Sequence, residues 1–141
     1  MLNGIPAILS PDLVKTLMEM GHGDEIVLAD GNFPAASHAQ RLIRCDGHGI
    51  PELLTAIIEL FPLDAYVEHP VIGMAVATGD PIEPIIWKEY DEIINRQGDD
   101  TVSIDYIERF DFYERAKKAY AIVATSEQAL YGNLILKKGV I

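Results

Sequence analysis

A histidine between two glycines is the first feature of this sequence that could carry out proton transfer. His22 lies in the segment Gly21-His22-Gly23-Asp24, which follows an apolar helical pattern, so it is predicted on exposed backbone that a small ligand can approach. Histidine suits general acid–base chemistry because its unperturbed pKa lies near neutrality. The alternative is a helix end with a turn, in which His22 only complements the negative end of the helix dipole. The local pattern leaves both interpretations open.

Two charged residues are predicted at the ends of strands. Asp30 directly follows the apolar stretch 26–29, and in open α/β sheets ligands bind beyond the strand ends. Its carboxylate can accept hydrogen bonds from sugar hydroxyls or hold an imidazole, whereas the alternative is an Asx-turn onto its own backbone. Arg109 offers a planar fork of donors for hydroxyl pairs or carboxylates, although its spacing from Glu108 and Asp111 favours a surface ion pair.

The segment Tyr131-Gly132-Asn133 precedes the last predicted strand. Asparagine both donates and accepts hydrogen bonds, which matches the character of a sugar hydroxyl, and the alternative is an ordinary turn. Trp87 and Tyr90 lie three apart on a predicted helix, where packing in the core or at an interface is the expected role.

No metal site is predicted. His38, His48 and His69 lie in separate predicted loops, without the short ligand spacing or the thiolate ligands of metal sites. The single cysteine, Cys45, cannot form an intramolecular disulfide and is expected to be buried as a small apolar residue. The sequence therefore predicts chemistry that uses neither a metal nor another cofactor.

The composition excludes several classes of partner. The 141 residues carry a formal net charge of −11 without a basic stripe that could neutralise phosphates, so nucleic acid and anionic membranes are not expected partners. The first residues, Met1-Leu2-Asn3-Gly4, lack the pattern of a signal peptide, and the longest apolar runs are too short to span a bilayer. We therefore expect a cytoplasmic protein. Its apolar content of 49% favours burial between subunits.

Helix and strand patterns alternate along the chain. Helices are predicted to start at Pro11 behind a Ser10 cap, to start near Pro51, and to cover 80–96 and 112–118. Strands are predicted at 26–29, 42–45, 71–77, 102–106, 120–125 and 134–137, with a loop at 97–100. This alternation predicts an α/β sandwich in which helices cover one sheet, and the late strands without long intervening helices predict some antiparallel pairing. No linker or repeat divides residues 1–141, so a single domain is expected.

The polar segments together resemble one known family. They are Gly21-His22-Gly23-Asp24-Glu25, Asp30 with Phe33-Pro34, Arg109-Phe110 with Phe112-Tyr113-Glu114-Arg115-Ala116, and Tyr131-Gly132-Asn133 ending in Lys137-Lys138-Gly139-Val140. Over residues 1–141 the chain is similar to the ribose pyranase/fucose mutarotase (RbsD/FucU) family. The stretch 109–115 resembles the branch that acts on L-fucose, whereas looser forms of the first and last segments are shared with the ribose branch.

The resemblance implies a fold, an activity and an assembly. The family fold is a three-layer α/β/α sandwich with a mixed β-sheet, assembled into pentameric rings that are commonly stacked as homodecamers. The implied enzyme is an isomerase without a cofactor, a mutarotase that interconverts the α and β anomers of L-fucose. Two alternatives stay open: a D-ribose pyranase, or a non-catalytic protein that binds sugars or assists their transport on the same fold.

The resemblance also implies roles for particular residues. His22 matches the family's catalytic acid/base, and the sugar-binding positions match Asp30, Arg109, Tyr131, Gly132 and Asn133. Tyr120 resembles a tyrosine that reaches the site of a neighbouring subunit, and the alternative is that it opens a strand and packs in its own core. We therefore expect each pocket to unite the catalytic and sugar-binding residues of one chain with Tyr120 of the next.

Mutarotation requires only a few catalytic groups. A base takes the proton of the anomeric hydroxyl while an acid protonates the ring oxygen, the ring opens, the aldehyde turns about the C1–C2 bond, and the ring closes again. One histidine in general acid–base catalysis contributes about 10²–10⁴-fold to a rate, which is adequate because the spontaneous reaction is already facile. Water is a candidate for the second proton carrier.

Overall fold

A six-stranded sheet between two layers of helices forms the described part of the molecule. The structure is a computed structural model that describes residues 1–96 and 101–141, and the loop predicted at 97–100 lies outside them. The helices are α1 (Pro11–Glu19), α2 (Ala35–His38), α3 (Ile50–Ile58), α4 (Ile86–Ile94) and α5 (Arg109–Lys118). The strands are β1 (Glu25–Ala29), β2 (Leu42–Cys45), β3 (Val71–Met74), β4 (Asp105–Ile107), β5 (Ala121–Thr125) and β6 (Leu134–Lys137). No helix in the two described ranges is long and apolar enough to cross a bilayer.

The sheet is mixed, with the strand order β2-β5-β1-β6-β3-β4. Strand β6 is antiparallel to both of its neighbours, β1 and β3, and the other pairs are parallel. In the interior strand β1, Val27 pairs with Ile122 of β5 on one side and with Ile135 of β6 on the other. Some antiparallel pairing is present as predicted, but it joins the last strand, β6, to the earlier strands β1 and β3 and not to another late strand.

Side chains of each strand alternate between two apolar layers. Ile26 and Leu28 face a core that contains residues of α1, α3 and α4, whereas Val27 and Ala29 face a second core shared with α2 and α5. Because both faces are covered, residues 26–29 of β1 and 121–124 of β5 are continuous apolar runs and do not alternate with polar residues. The predicted three-layer α/β/α sandwich with a mixed sheet is confirmed.

The helix predicted over 80–96 is shorter at both ends, since α4 begins at Ile86 and ends at Ile94. Proline lacks a backbone N–H and disfavours helical backbone at the residue before it, so the segment that contains Pro84 is irregular. The Asp80 side chain accepts a hydrogen bond from the Ile82 N–H at 3.1 Å, which forms a local turn rather than a helix cap.

Strands β3 and β4 also differ from their predicted bounds. The strand predicted at 71–77 stops at Met74, and the strand predicted at 102–106 begins only at Asp105. Val102 is held instead by Asn95 beyond the end of α4, whose side chain accepts from the Val102 N–H at 2.6 Å and donates to its carbonyl at 3.0 Å. Val102, seven residues after Asn95, is thus bonded to that side chain and lies outside β4.

Helix α5 begins at Arg109, three residues before the predicted start at Phe112. The Glu108 carboxylate accepts hydrogen bonds from the N–H groups of Phe110 and Asp111, and this cap opens the helix directly behind β4. The earlier start places Arg109 at the sheet edge where β4 ends. The four-residue helix α2 is absent from the prediction.

Candidate functional site

A cleft of about 230 Å³ opens at the sheet edge where β1 and β3 end and β6 begins. The residues that line the cleft are Asp30, Asn32, Phe33, Met74, Asp80, Arg109, Tyr113, Leu130, Tyr131 and Asn133. Four of the predicted site residues are among them: Asp30, Arg109, Tyr131 and Asn133. The fifth predicted sugar-binding residue, Gly132, is buried in the chain between the last two.

Asp30 and Asn133 form a buried hydrogen-bonded pair in this lining. Asn133 Nδ2 donates to Asp30 Oδ2 at 3.0 Å, and the Asp30 backbone N–H donates to Asn133 Oδ1 at 2.7 Å. Asp30 Oδ1 accepts from the Asn32 N–H at 3.0 Å, so the Asx-turn that the sequence offered as an alternative is present as well. The Asn133 amide is thus engaged with Asp30 and orients that carboxylate toward the cleft.

The surroundings of Asp30 disfavour its charge. The residue is 7% exposed, and burial raises the pKa of its carboxyl above the ordinary value, with the charge of Glu127 acting in the same direction. Hydrogen bonds from Asn32, Phe33 and Asn133 oppose that rise because they favour the ionised form. A carboxylate offers about four lone-pair sites, so Asp30 keeps acceptor capacity for a hydroxyl group of a ligand.

Arg109 brings a cation to the cleft from the first turn of α5. Its guanidinium carbon lies 4.6 Å from the centre of the Phe110 ring and 6.0 Å from that of Tyr113, which supports it on aromatic surface. The ion pair expected with Glu108 or Asp111 is not formed, and among the described residues Arg109 makes no salt bridge. Its planar fork of donors is therefore open to a ligand in the cleft.

Tyr131 enters the cleft with its hydroxyl already bonded. The hydroxyl donates to Asp80 Oδ2 at 2.7 Å and accepts from the Ala77 N–H at 3.3 Å. The bond to Asp80 raises the pKa of the Tyr131 phenol. Because a phenol carries one proton, Tyr131 offers a ligand an acceptor oxygen and an aromatic face rather than a donor.

Part of the lining is apolar. Phe33, Met74 and Leu130 contribute hydrocarbon and thioether surface, and the Tyr113 ring packs edge-on against Phe33 at 5.4 Å between centroids. A cleft that combines a carboxylate and a guanidinium with such surface suits a small ligand that carries both hydroxyl groups and an apolar group.

His22 lies at the other edge of the sheet. It precedes β1 whereas Asp30 follows it, and a strand of 5 residues spans about 16 Å. Next to His22, the Gly23 N–H donates to the carbonyl of Lys138, beyond the end of β6. The expectation that one chain brings His22 together with Asp30 and Arg109 is therefore wrong, because the segment between them is extended.

At that edge His22 contacts an aspartate that the sequence did not single out. His22 Nε2 lies 3.1 Å from Asp64 Oδ1, and the two ring centroids of His22 and Tyr66 are 5.4 Å apart. Asp64 is buried, and the pKa of its carboxyl is lowered, chiefly by the hydrogen bond from the Tyr66 N–H and also by His22. An ionised carboxylate only accepts hydrogen bonds, so Nε2 carries the hydrogen and Nδ1 of the neutral ring can take a proton. The His22 side chain is 46% exposed and within reach of a ligand.

Tyr120 lies at the same edge as His22, immediately before β5. Its backbone N–H donates to the carbonyl of Glu25, the first residue of β1. Its hydroxyl donates to Glu19 Oε2 at 3.0 Å, and the Arg41 guanidinium carbon lies 3.9 Å from its ring centre. The predicted residues thus fall into two groups, one in the cleft and the other consisting of His22 and Tyr120. We call His22 and Tyr120, together with Asp64, the histidine edge.

Asp64 and Asp80 are two polar residues of these groups that the sequence alone did not indicate. Asp64 is 42 residues from His22, and Asp80 is 51 residues from Tyr131, so local spacing carries no signal for either contact. The pattern around Asp80 instead indicates a helix cap. Among the described residues, no group of three histidine, cysteine, aspartate or glutamate side chains is placed to hold a metal ion.

Comparisons with known proteins match nearly the whole chain. The fucose mutarotase of Homo sapiens is 55% identical over 146 residues, which cover 99% of this chain and 94% of the human protein. The L-fucose mutarotase of Haemophilus influenzae strain PittGG is 52% identical over 140 residues, which cover 99% and 97% of the two chains. A crystal structure of the fucose mutarotase from Streptococcus pneumoniae in complex with L-fucose is similar with a TM-score of 0.94, at 61% identity and 99% coverage of both chains.

The sequence profile of the RbsD / FucU transport protein family matches residues 3–141. This match agrees with the resemblance carried by the polar segments and with the identities of more than half of the residues to the human and bacterial relatives. The chain belongs to the RbsD / FucU transport protein family.

Proposed function

We propose that this protein is an L-fucose mutarotase, an isomerase that interconverts the α and β anomers of L-fucose by opening and closing the sugar ring. Residues 1–141 act as a single catalytic domain that needs neither a cofactor nor a metal ion. The observation that carries the proposal is the cleft, where Asp30, Arg109, Tyr131 and Asn133 converge. The relative from Streptococcus pneumoniae, a fucose mutarotase in complex with L-fucose, is 61% identical and supports the choice of sugar.

The cleft has the two kinds of surface that a 6-deoxyhexose presents. Asp30 accepts hydrogen bonds from ring hydroxyls, and the guanidinium of Arg109 donates to a neighbouring pair of oxygens. Phe33 and Leu130 offer apolar surface to the methyl group at C5, a group that D-ribose lacks. This division of the lining favours a deoxy-hexose over D-ribose and therefore a mutarotase over a ribose pyranase.

The chemistry is a pair of proton transfers at the anomeric centre. His22 Nδ1 takes the proton of the anomeric hydroxyl, and water protonates the ring oxygen as the bond between C1 and that oxygen breaks. The aldehyde turns about the C1–C2 bond, and the ring closes onto its other face. His22 then returns its proton to the anomeric oxygen, and the C5 hydroxyl gives its proton back to the hydroxide that the water left behind. Asp64 holds the imidazole in the tautomer that leaves Nδ1 free.

Each active site, in this proposal, is shared between two chains. His22 and the cleft lie at opposite edges of one sheet, so the histidine edge of one chain faces the cleft of the next in a closed ring, where one head-to-tail contact repeats. Tyr120 then stacks on the sugar or contacts its hydroxyl groups. Pentameric rings, stacked as decamers, are the proposed assembly, and the exposed side chains of Leu2 and Met18 supply apolar surface for contacts between chains.

The cytoplasm is the proposed location. The sequence has a single cysteine and so cannot form the intramolecular disulfides that are frequent in secreted domains. A monosaccharide is the proposed partner besides other copies of the chain, since the net charge of −11 disfavours nucleic acid and anionic membranes.

Saturation-transfer NMR on the anomeric protons tests the proposed function. Saturating the signal of one L-fucose anomer is expected to reduce the signal of the other when catalytic amounts of protein are present, and the transfer is expected to persist after exhaustive treatment with EDTA. D-Ribose is examined in parallel, with saturation transfer between its pyranose and furanose signals as the readout.

The outcomes separate the alternatives. Exchange of ribose ring forms without exchange of L-fucose anomers indicates a pyranase, and binding of L-fucose without any exchange indicates a non-catalytic sugar-binding protein. Loss of exchange in EDTA that a divalent ion restores contradicts the proposal that no metal is needed.

A further inference from the structure

Two side chains of α4 hold the backbone of the segment that enters the cleft. Trp87 Nε1 donates to the Tyr131 carbonyl at 2.9 Å, and the Tyr90 hydroxyl donates to the Gly132 carbonyl at 2.7 Å. Tyr90 is fully buried, and a side chain at position 132 would interfere with its contact, because a Cβ there would lie 3.3 Å from the Tyr90 oxygen and 3.0 Å from the Ala129 carbonyl oxygen. Neither α4 side chain is part of the lining of the cleft.

The anchored segment has a backbone conformation that tyrosine seldom adopts. Tyr131 has a φ of 58° and is the one non-glycine residue with positive φ among the described residues. This left-handed region is unfavourable for a bulky side chain, and it persists where the surrounding structure over-determines it. The hydrogen bonds that Trp87 and Tyr90 of α4 donate to the carbonyls of Tyr131 and Gly132 supply that constraint.

The direction of the Trp87 N–H is itself fixed. The Trp87 and Tyr106 rings stack with centroids 3.9 Å apart and planes 26° from parallel. Tyr106 fits there because Gly73 has no side chain, since a Cβ at Gly73 would lie 2.5 Å from the Tyr106 ring. Strands β3 and β4 therefore hold the indole plane, and the indole holds the Tyr131 carbonyl.

We propose that Trp87 and Tyr90 are positioning residues of the sugar site, which act through the backbone of Tyr131 and Gly132 without touching the sugar. The hydrogen bond from Trp87 to the Tyr131 carbonyl, one of the two anchors, fixes the position of the Tyr131 ring in the cleft. The other anchor, the hydrogen bond from Tyr90 to the Gly132 carbonyl, fixes the position of the next residue, Asn133. The Asn133 amide in turn orients the Asp30 carboxylate. The inference rests on the proposed function, since it takes L-fucose as the ligand of the cleft.

Conservative variants of the two anchors test the proposal in the full assembly. Trp87→Phe keeps an aromatic ring beside Tyr106 and removes the N–H donor, and Tyr90→Phe removes only the hydroxyl. Each is expected to weaken L-fucose binding about tenfold in titration calorimetry, as for the loss of one well-made hydrogen bond. KM for anomeric exchange is expected to rise by the same factor, while kcat, which depends on His22, changes far less.

The matched control is Ile94→Val, which trims a buried α4 side chain that has no polar atom. It is expected to lower the unfolding temperature measurably while leaving the affinity for L-fucose unchanged. Equal losses of affinity in the control and in the anchor variants mean that α4 has only a structural role, which overturns the proposal.

A double-mutant cycle with Tyr131→Ala tests the route of action. Trp87→Phe is expected to weaken binding by a smaller factor in the Tyr131→Ala background, because the ring that it positions is gone. An undiminished factor in that background, or wild-type affinity in both anchor variants of a protein that exchanges anomers, overturns the proposal. A wild-type protein that neither binds nor exchanges L-fucose instead refutes the proposed function.

Discussion

At the scale of residues, two aspartates of the proposed site have opposite electrostatic surroundings. Burial raises the pKa of Asp30, whereas the hydrogen bond from the Tyr66 N–H, aided by His22, lowers that of Asp64. Environments that move two carboxyl groups in opposite directions are typical of sites that carry out acid–base chemistry. Asp64 is therefore suited to orient an imidazole, and Asp30 is a buried acceptor whose charge is held at a cost to stability.

Comparison with the variant Asp30→Asn is expected to show that the free energy of unfolding depends on pH through the charge of Asp30. The folded pKa of Asp30 is raised above the unfolded value of about 3.9. The stability that the protonated group contributes below the unfolded pKa is therefore lost as the pH rises through the folded pKa. We expect the free energy of unfolding of the wild type, relative to that of Asp30→Asn, to fall as the pH rises from about 4 through the folded pKa. Urea denaturation of both proteins across this range measures it, and a flat or rising difference contradicts the prediction.

The variant Asp64→Asn is expected to lower kcat/KM for L-fucose anomer exchange about ten- to hundredfold with the fold intact. It replaces a charge-assisted hydrogen bond to His22 Nε2 by a neutral one and no longer enforces one imidazole tautomer. Exchange NMR and circular dichroism measure activity and folding. The control Asp105→Asn changes an exposed aspartate of β4 and is expected to leave the rate unchanged. Wild-type kcat/KM in Asp64→Asn would show that the pair with His22 has no catalytic role.

At the scale of elements, the sequence predicts those helix and strand bounds that contacts between nearby residues determine. Helix α1 begins behind Ser10 as predicted, because the Ser10 hydroxyl accepts from the Leu13 N–H three residues on, and β2 and β6 match their predicted bounds. The starts of α4 and α5 are missed for different reasons. Two prolines keep 81–84 out of α4, and the cap of α5 is Glu108, a residue type outside the usual capping set.

The candidate site could be predicted in part from strand direction. Asp30 follows β1 and Asn133 precedes β6, so the antiparallel pairing of these strands brings the two residues to one edge. The same pairing keeps His22, before β1, away from the cleft. The contacts of Asp64 and Asp80 join residues far apart in sequence, so a single sequence could not predict them.

The cap of α5 gives a prediction at this scale. Glu108→Ala is expected to reduce the free energy of unfolding by about 0.5–2 kcal/mol, because two N–H groups of the first turn lose their acceptor. Affinity for L-fucose is expected to fall as well, since Arg109 begins that helix. The control Glu114→Ala removes an exposed ion pair with Lys117 and is expected to change the free energy of unfolding by less than Glu108→Ala does. Denaturation measures the free energy of unfolding of both variants, and titration calorimetry measures their affinity for L-fucose. Equal effects in the two variants contradict a special role for the Glu108 cap.

At the scale of the whole molecule, the residues of the proposed site lie at two edges of one sheet. The cleft lies where β1 ends, and His22, Asp64 and Tyr120 lie where β1 and β5 begin. In the proposed ring, the histidine edge of one chain meets the cleft of the next, so that each site combines the proposed proton carrier with the proposed sugar pocket. The sequence predicted a shared site in which His22 and the cleft belong to one half, whereas the structure places them at opposite edges of one sheet.

The most direct test of this shared site is subunit mixing between inactive variants, read by L-fucose anomer exchange. His22→Ala damages the histidine edge and Arg109→Ala damages the cleft, so verified mixed assemblies are expected to regain roughly a quarter of the wild-type sites under random association. His22→Ala mixed with Tyr120→Ala is expected to regain none, because both damage the same edge. No recovery in verified His22→Ala and Arg109→Ala mixtures, or equal recovery in the two mixtures, contradicts a site built from the histidine edge of one chain and the cleft of the next.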